Sequence, residues 1–288
     1  MRWRGQREST NVEDRRGMRV RRGGMIGGGL GVVAILLIGT LLGVDPRLLL
    51  GGVQVMNSAA PPVEETVPFE ESPAEAEARQ FLAVVLADTE DVWSALFGKL
   101  GGSYREPRLV LFSGAVQSGC GFAESAMGPF YCPPDERVFI DTSFFDDLDK
   151  RMGAGGDFAR AYVVAHEIGH HVQNLVGTSG RVQEMRGRVG EAEGNQLSVR
   201  LELQADCYAG VWAHHAERMR GILEAGDMEE ALGAASAVGD DRLQRQAQGY
   251  VVPDSFTHGT SEQRMRWFRA GFDRGSMEVC DTFTAGDV

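Results

Sequence analysis

Two histidines spaced four residues apart constrain the fold more than any other feature of this sequence. They are His166 and His170 in the stretch VVAHEIGHHVQNLVG, and Glu167 directly follows the first of them. Residues i and i+4 of an α-helix share one face, so both imidazoles can reach a single metal ion. Glu167 lies about 100° further round the helix, where it can contact a metal-bound water without being a ligand. By itself this H-E-x-x-H pattern is ambiguous, because short patterns recur by chance.

A hydrolytic zinc site needs a third protein ligand and an open fourth position. The later stretch RLELQADCYAG places Glu202 and Asp206 four residues apart, and therefore on one helical face. We expect Glu202 to bind the metal and Asp206 to orient a ligating histidine by accepting its far N–H. A solvated acidic helix face is the alternative, but Leu201 and Leu203 make the segment too apolar for it.

Several long segments of the chain together resemble a known protein family. They are VVAHEIGHHVQNLVG, LELQADCYAGVWA, GDDRLQ and DSFTHGTSEQRMRWFRAGF. These segments are similar to motifs of the bacterial, membrane-anchored putative neutral zinc metallopeptidases, and the resemblance runs from about Pro73 to the C-terminus. It implies a zincin-like, gluzincin-type domain in which a glutamate of an E-x-x-x-D helix is the third ligand. It therefore implies one Zn²⁺ per chain, held by His166, His170 and Glu202, and a polypeptide substrate.

A further histidine lies in FTHGTSEQRMRWF, where His258 precedes a predicted helix that carries Arg264. This segment is similar to the T-H-P-x-x-x-x-R segment of membrane zinc endopeptidases related to CAAX-processing proteases, with Gly259 in place of the proline. We expect His258 to stabilise the oxyanion, since a hydrolase needs a donor at the oxygen that becomes negative. Arg264 would orient His258 or hold its loop through an acidic partner. The alternative is a structural histidine in a helix-capping region.

Two other polar positions receive structural interpretations. His171 follows the motif but points about 100° away from His170 on the helix, which favours a structural role. The pair Asp240 and Asp241 in GDDRLQ suits a helix end and a salt bridge with Arg242 or Arg245. A role in supporting the metal is the alternative for this pair.

The function that these residues predict is a zinc-dependent peptidase. Coordination lowers the pKa of a bound water towards about 7, and Glu167 would take its proton as the water attacks a peptide carbonyl. The strand RVFIDT, residues 137–142, is the candidate edge for pairing with an extended substrate. A membrane-tethered, zinc-stabilised scaffold or binding protein without turnover is the alternative function. Glu167 argues against it, because a structural zinc site closes its fourth position and needs no general base.

The N-terminal region carries a membrane signal. Residues 25–44, MIGGGLGVVAILLIGTLLGV, contain no charge, and a helix of that length spans roughly 30 Å, the thickness of a bilayer's hydrocarbon layer. Eight of the 29 basic residues, but only three of the 41 acidic ones, lie in residues 1–24. The positive-inside rule predicts a basic cytoplasmic tail over 1–24, a single transmembrane anchor over 25–44 in the bacterial inner membrane, and an outward-facing catalytic domain. A cleaved signal peptide is the alternative.

Beyond the apolar run, the chain divides into a linker and one domain. Residues 45–72 mix glycine, proline and glutamate without periodicity, which is typical of a flexible linker. Over residues 73–288 a helical segment is followed by two strand patterns, PRLVLFSG and ERVFIDTSFF, and then by helical patterns almost to the end. This order indicates an α+β fold, with a small N-terminal sheet and a mostly helical catalytic domain. The acidic charge of this part argues against a nucleic-acid partner.

The four cysteines all follow the apolar run. In an oxidising compartment an even number suggests two disulfides, and the sequence alone cannot choose among the three possible pairings. We favour Cys120 with Cys132, which closes a short loop, and Cys207 with Cys280. A cysteine zinc site is the rival interpretation, but the sequence contains no C-x-x-C pair to support it.

Overall fold

The structure, a computed structural model, describes residues 1–21, 63–66 and 68–286. The strands in this part of the chain are β1 (Val12–Asp14), β2 (Met18–Arg21), β3 (Val63–Thr66), β4 (Arg108–Phe112), β5 (Ala115–Ser118), β6 (Gly121–Glu124), β7 (Phe130–Cys132) and β8 (Arg137–Asp141). The helices are α1 (Pro73–Lys99), α2 (Ser143–Lys150), α3 (Asp157–Leu175), α4 (Thr178–Arg186), α5 (Glu191–Arg220), α6 (Asp227–Ala237), α7 (Asp240–Gln248) and α8 (Ser261–Arg274). The predicted α+β class, mostly helical with a small sheet, is confirmed.

The main sheet has the strand order β1-β4-β8-β7. β4 pairs in parallel with β1 and with β8, and β7 pairs antiparallel with β8. The prediction that the strand over 137–142 offers an open edge is therefore wrong, since β8 is hydrogen-bonded on both sides. Within the described residues the edge strands of this sheet are β1 and β7.

The helix that carries the H-E-x-x-H motif, α3, lies at the centre of the domain. It contacts α1, α5 and α6 as well as strands β7 and β8. Its apolar residues supply much of the core, and Phe158 stacks on Trp212 of α5 with ring centroids 5.8 Å apart. The helix α1 begins where the sequence predicts it, because Ser72 and Glu75 form a reciprocal capping box around Pro73.

Residues 1–21, which belong to the basic tail expected over 1–24, pack against the domain. β1 extends the main sheet through β4, and the buried Trp3 meets Phe81 of α1 with ring centroids 5.3 Å apart. Arg16 is only 3% exposed and pairs with Asp14 and Glu71. A charge count gives residues 1–24 an excess of positive charge. In the structure, acidic side chains neutralise several of these arginines, and some of the acidic partners belong to the domain.

The predicted anchor over 25–44 lies outside the described residues, as does most of the predicted linker over 45–72. None of the described helices is long and apolar enough to cross a membrane. β2 and β3, on either side of residues 22–62, pair antiparallel with Arg21 opposite Val63. A single crossing over 25–44 would place residues 1–21 and the domain on opposite sides of a bilayer, whereas the structure packs them together.

Both predicted disulfides are confirmed. Cys120 and Cys132, with Cα atoms 5.8 Å apart, join the turn between β5 and β6 to the edge strand β7. Cys207 and Cys280, with Cα atoms 5.5 Å apart, join α5 to a short 3₁₀ turn near the end of the chain.

Candidate metal centre

A glycine contact sets the geometry between the two helices that carry the predicted ligands. A Cβ atom at Gly169 of α3 would lie 2.8 Å from the carbonyl oxygen of Ala205 in α5, too close for any other residue to fit without a shift. The two helix backbones can therefore approach closely at this point. Gly169 is one of the variable positions of the H-E-x-x-H motif, and the contact brings both histidines opposite Glu202.

The three predicted ligands meet in one cluster. Ligand atoms of His166, His170 and Glu202 all lie within 4.8 Å of one another. The Nε2 atom of His166 is 3.1 Å from Oε2 of Glu202, and the Nε2 atom of His170 is 3.3 Å from Oε1. Two imidazole nitrogens and one carboxylate form a donor set that suits zinc in a catalytic site with an open fourth position.

Charge balance in the cluster also fits a divalent cation. Burial disfavours a charged imidazole, but the Asp206 and Glu202 carboxylates raise the pKa of His166 to about 9. Burial likewise opposes charge on His170, yet the Glu202 carboxylate raises the pKa of that imidazole too. Both shifts mean that the cluster favours positive charge, and a metal ion would displace any proton held at the two Nε2 atoms as it binds.

Asp206 anchors a buried network behind the first ligand. Its side chain is wholly buried and accepts hydrogen bonds from His166 Nδ1 at 2.8 Å and from the Tyr162 hydroxyl at 2.5 Å. Arg264 donates to the same carboxylate from Nε at 2.8 Å and from Nη2 at 2.9 Å. Asp206 thus takes the position expected for orienting a ligand histidine.

Arg264 has an acidic partner, as expected, but this partner is Asp206 behind His166, and among the described residues the Arg264 side chain forms no hydrogen bond to His258. Its position follows from a close crossing of α5 and α8. A Cβ atom at Gly210 would lie 2.0 Å from the Phe268 carbonyl oxygen, and one at Gly271 would lie 2.0 Å from that of Cys207. These two glycines therefore allow α8, which carries Arg264, to pack closely against α5, which carries Glu202 and Asp206.

Glu167, the carboxylate of the H-E-x-x-H motif, has no hydrogen-bond partner in the part of the chain that the structure describes. The residue is 7% exposed, and among the described residues its carboxylate forms no hydrogen bond or ion pair. It nevertheless lies near enough to His170 for their charges to interact. Because no described protein group holds this carboxylate, it is free to contact a water or a substrate beside the cluster.

His258 lies in a loop held by Asp240, whose side chain is at the start of α7. The Asp240 Oδ2 atom accepts the backbone N–H groups of Thr257, His258 and Gly259 at 2.7, 2.7 and 3.1 Å. Its Oδ1 atom is 3.2 Å from His258 Nδ1, and this hydrogen bond raises the pKa of His258. The loop packs on α5 on either side of Glu202, since Phe256 clusters with Val199 and Leu203 and a Cβ atom at Gly259 would lie 3.2 Å from Val199.

Some candidate functional residues could not be predicted from the sequence. Asp240 was expected to pair with nearby arginines, and only the tertiary structure reveals its contact with His258. Tyr162 and Gln173 contact Asp206 and His170 respectively, although no motif marks them. The buried His171 has the structural role expected, since Nε2 donates to the Arg105 carbonyl at 2.6 Å.

With this geometry in place, comparison with known proteins identifies the family. A family model described as putative neutral zinc metallopeptidase matches residues 1–283. The chain belongs to this family. The match of this metallopeptidase-family member begins at residue 1, well before the Pro73 boundary of the resemblance, so residues 1–21 and strand β1 fall within the family's shared region.

Curated relatives cover most of the chain. The uncharacterized protein YpfJ of Escherichia coli strain K12 is 50% identical over 294 residues, which cover 98% of this chain and 99% of that protein. The uncharacterized proteins Rv2575 of Mycobacterium tuberculosis H37Rv and Mb2605 of Mycobacterium bovis are each 43% identical over 260 residues, which cover 86% of both chains in each comparison. No solved structure matches this metallopeptidase-family chain.

Proposed function

We propose that this protein is a zinc-dependent peptidase that hydrolyses peptide bonds with Glu167 as general base. The observation that carries the proposal is the position of Glu167, which follows the ligand His166 directly and forms no hydrogen bond or ion pair with any described residue, beside a three-ligand cluster. A site that only stabilised the fold would gain nothing from this carboxylate, because a structural zinc site closes its fourth position. The same observation disfavours the alternative of a membrane-tethered, zinc-stabilised scaffold or binding protein.

Each residue has a defined part in the proposed reaction. A zinc ion held by His166, His170 and Glu202 would polarise the substrate carbonyl and acidify the attacking water. Glu167 takes the proton of that water and returns it to the leaving amine. His258 donates a hydrogen bond to the developing oxyanion.

The hydrogen bond to Asp240 makes His258 suitable for this donation. With Nδ1–H directed at Asp240, Nε2 carries a proton only in the imidazolium form. The Asp240 contact raises the pKa of His258 and so favours that form. Asp240 is therefore a positioning residue for the proposed oxyanion donor.

The edge strand β7 replaces β8 as the candidate partner of an extended substrate. It is open on one side within the described sheet, and it contacts the metal helix α3. Main-chain pairing at such an edge would give affinity that depends little on substrate side chains. Peptides N-methylated next to the scissile bond should therefore be cleaved more slowly than their parents; equal rates would count against pairing at β7.

Metal content and hydrolysis together test the proposed function. The full chain should contain about one zinc per molecule, and His166→Ala and Glu202→Ala should lose it. Glu167→Gln should keep the zinc and lose peptidase activity by a factor of about 10² to 10⁴, whereas Glu193→Gln, on the exposed first turn of α5, should keep both. Zinc-bound wild type that hydrolyses no peptide in a broad substrate library would favour the scaffold. A folded wild type that binds no zinc would overturn both functions.

The location of the domain stays a prediction from the sequence. Its two disulfides are typical of an oxidising compartment, which supports an outward-facing domain. The packing of residues 1–21 on the domain argues against a cytoplasmic N-terminus, and we propose that both lie on the same side of the membrane. A membrane-impermeant maleimide added to intact spheroplasts should label Gln6→Cys and Arg266→Cys alike. Labelling of Arg266→Cys alone would support a single crossing instead.

A further inference from the structure

The second zinc ligand is oriented by a glutamine one turn further along its own helix. His170 Nδ1 is 2.9 Å from Oε1 of Gln173, which is wholly buried. The Nε2 atom of Gln173 is 2.7 Å from the Leu201 carbonyl oxygen, which can only accept. The amide orientation is thus determined, and Gln173 must offer its oxygen to His170. His170 therefore carries its proton on Nδ1 and leaves Nε2 free to bind a metal.

The chain of hydrogen bonds continues beyond Gln173. Its Nε2 atom also donates to Oε1 of Gln204 at 3.2 Å, and Gln204 Nε2 donates to the carbonyl oxygen of Cys280 at 2.9 Å. Gln204 is 6% exposed, and Cys280 is wholly buried. Donors and acceptors alternate in one direction, from His170 through two buried amides to the backbone of residue 280.

The segment that receives this chain is residues 277–286, here called the strap. A disulfide fastens Cys280 to Cys207, which lies one turn beyond Gln204 on α5. On the other side of Glu202, the Thr282 hydroxyl donates to the Arg200 carbonyl oxygen at 2.6 Å, and Arg200 Nη1 donates to the Ala285 carbonyl oxygen at 3.0 Å. The strap is therefore attached to α5 both before and after the carboxylate ligand.

We propose that the strap orients the second zinc ligand, with Gln204 and Gln173 as positioning residues that connect it to His170. The inference rests on the proposed metal site. The two histidine ligands are thus oriented differently: His170 donates to the neutral amide of Gln173, whereas His166 donates to the charged carboxylate of Asp206. Loss of groups that hold a ligand histidine typically lowers metal affinity by about 10- to 100-fold.

The test compares zinc affinity and the cobalt spectrum in the full chain. Gln173→Met and Gln204→Met keep the approximate shape of each side chain but remove the amide. We expect Gln173→Met to weaken zinc binding by about 10- to 100-fold in competition with a chelator. Gln204→Met should weaken it less, because Leu201 still holds Gln173. Gln196→Ala, on the exposed part of α5, is the matched control and should bind as wild type.

A role in stability alone can be separated from positioning. The visible absorption of bound Co²⁺ reports ligand geometry, so it should change in Gln173→Met. It should change less in Gln204→Met, in which Gln173 still accepts from His170 and donates to Leu201. A lower melting temperature with an unchanged cobalt spectrum and unchanged zinc affinity would overturn the proposal.

The remaining outcomes are also decisive. An effect of Gln173→Met without any effect of Gln204→Met would confine the support to Gln173 and Leu201, and the role of the strap would be overturned. Wild type that binds no zinc would instead refute the proposed function, and it would remove the ligand site on which this inference rests.

Discussion

His166 and His258 are each oriented by an aspartate, but the surroundings of the two pairs differ. His166 is 6% exposed, and its partner Asp206 accepts four hydrogen bonds from side chains of α3 and α8. The His258 side chain is 51% exposed, and its partner Asp240 mainly accepts backbone N–H groups of one loop. The first pair is part of the core, whereas the second arranges a surface loop. Substitutions near His166 should therefore change stability and metal binding, and those near His258 should mainly change catalysis.

The largest expected effect on stability is at Arg264. Arg264→Met would leave the buried charge of Asp206 without its cationic partner, and breaking such a pair typically costs about 3–5 kcal/mol. We expect the free energy of unfolding in urea to fall by this amount, together with zinc affinity. Arg266→Met, at an exposed position of the same helix, is the control and should be nearly neutral. A loss below about 1 kcal/mol at Arg264 would mean that the network contributes little to the core.

At His258 the expected effect is on rate. Removal of an oxyanion donor typically lowers kcat by about 10²- to 10³-fold, so His258→Gln should do so while zinc content and unfolding free energy stay close to wild type. His215→Gln, which alters a histidine bonded to the Gly275 carbonyl on the far part of α5, is the control. Loss of zinc in His258→Gln would show that the two regions are not separate.

The same comparison explains which parts of the site can be predicted from the sequence. Helical spacing predicts that His166 and His170 converge, because residues i and i+4 share a face wherever the helix lies. Glu202 was expected beside them from the need for a third ligand and from the family resemblance. Asp206, four residues beyond Glu202, follows from the same helical spacing. Gln173 is three residues beyond His170 on the same helix, so helical spacing allows their contact. A glutamine at this spacing has many possible partners, however. Its contact with His170 depends on the Leu201 carbonyl of another helix, which fixes the orientation of the amide.

Contacts between distant segments could not be predicted in this way. Asp240 reaches His258 across 18 residues, and that contact depends on how α7 and the following loop pack. β1 has only three residues and pairs with β4 far along the chain, so no local pattern marks it as a strand. A charge count of the neighbouring arginines predicts only a basic tail, because it ignores ion pairs such as that between Arg16 and Glu71.

The smallest expected effect is a change in pH dependence at Asp240. The hydrogen bond that His258 Nδ1 donates to Asp240 raises the pKa of His258, so the imidazolium form persists above the ordinary value of about 6.5. Its stabilisation of the fold is fully present below about pH 6.5 and is lost as pH rises through the raised pKa. If the imidazolium is the active donor, kcat/KM falls over that same upper range.

Asp240→Asn keeps an oxygen for the loop N–H groups but removes the charge, so this alkaline fall in kcat/KM should move to lower pH. The zinc affinity of the variant at neutral pH should stay close to that of wild type, because Asp240 contacts none of the three ligands. The measurement is a pH profile of kcat/KM for Asp240→Asn beside wild type, with Asp254→Asn, at an exposed position, as the control. An unchanged profile in Asp240→Asn would show that the protonation of His258 does not limit the reaction. The Asp240 carboxylate would then serve only to hold the backbone of the loop. Asp206, by contrast, would hold a metal ligand through its contact with His166.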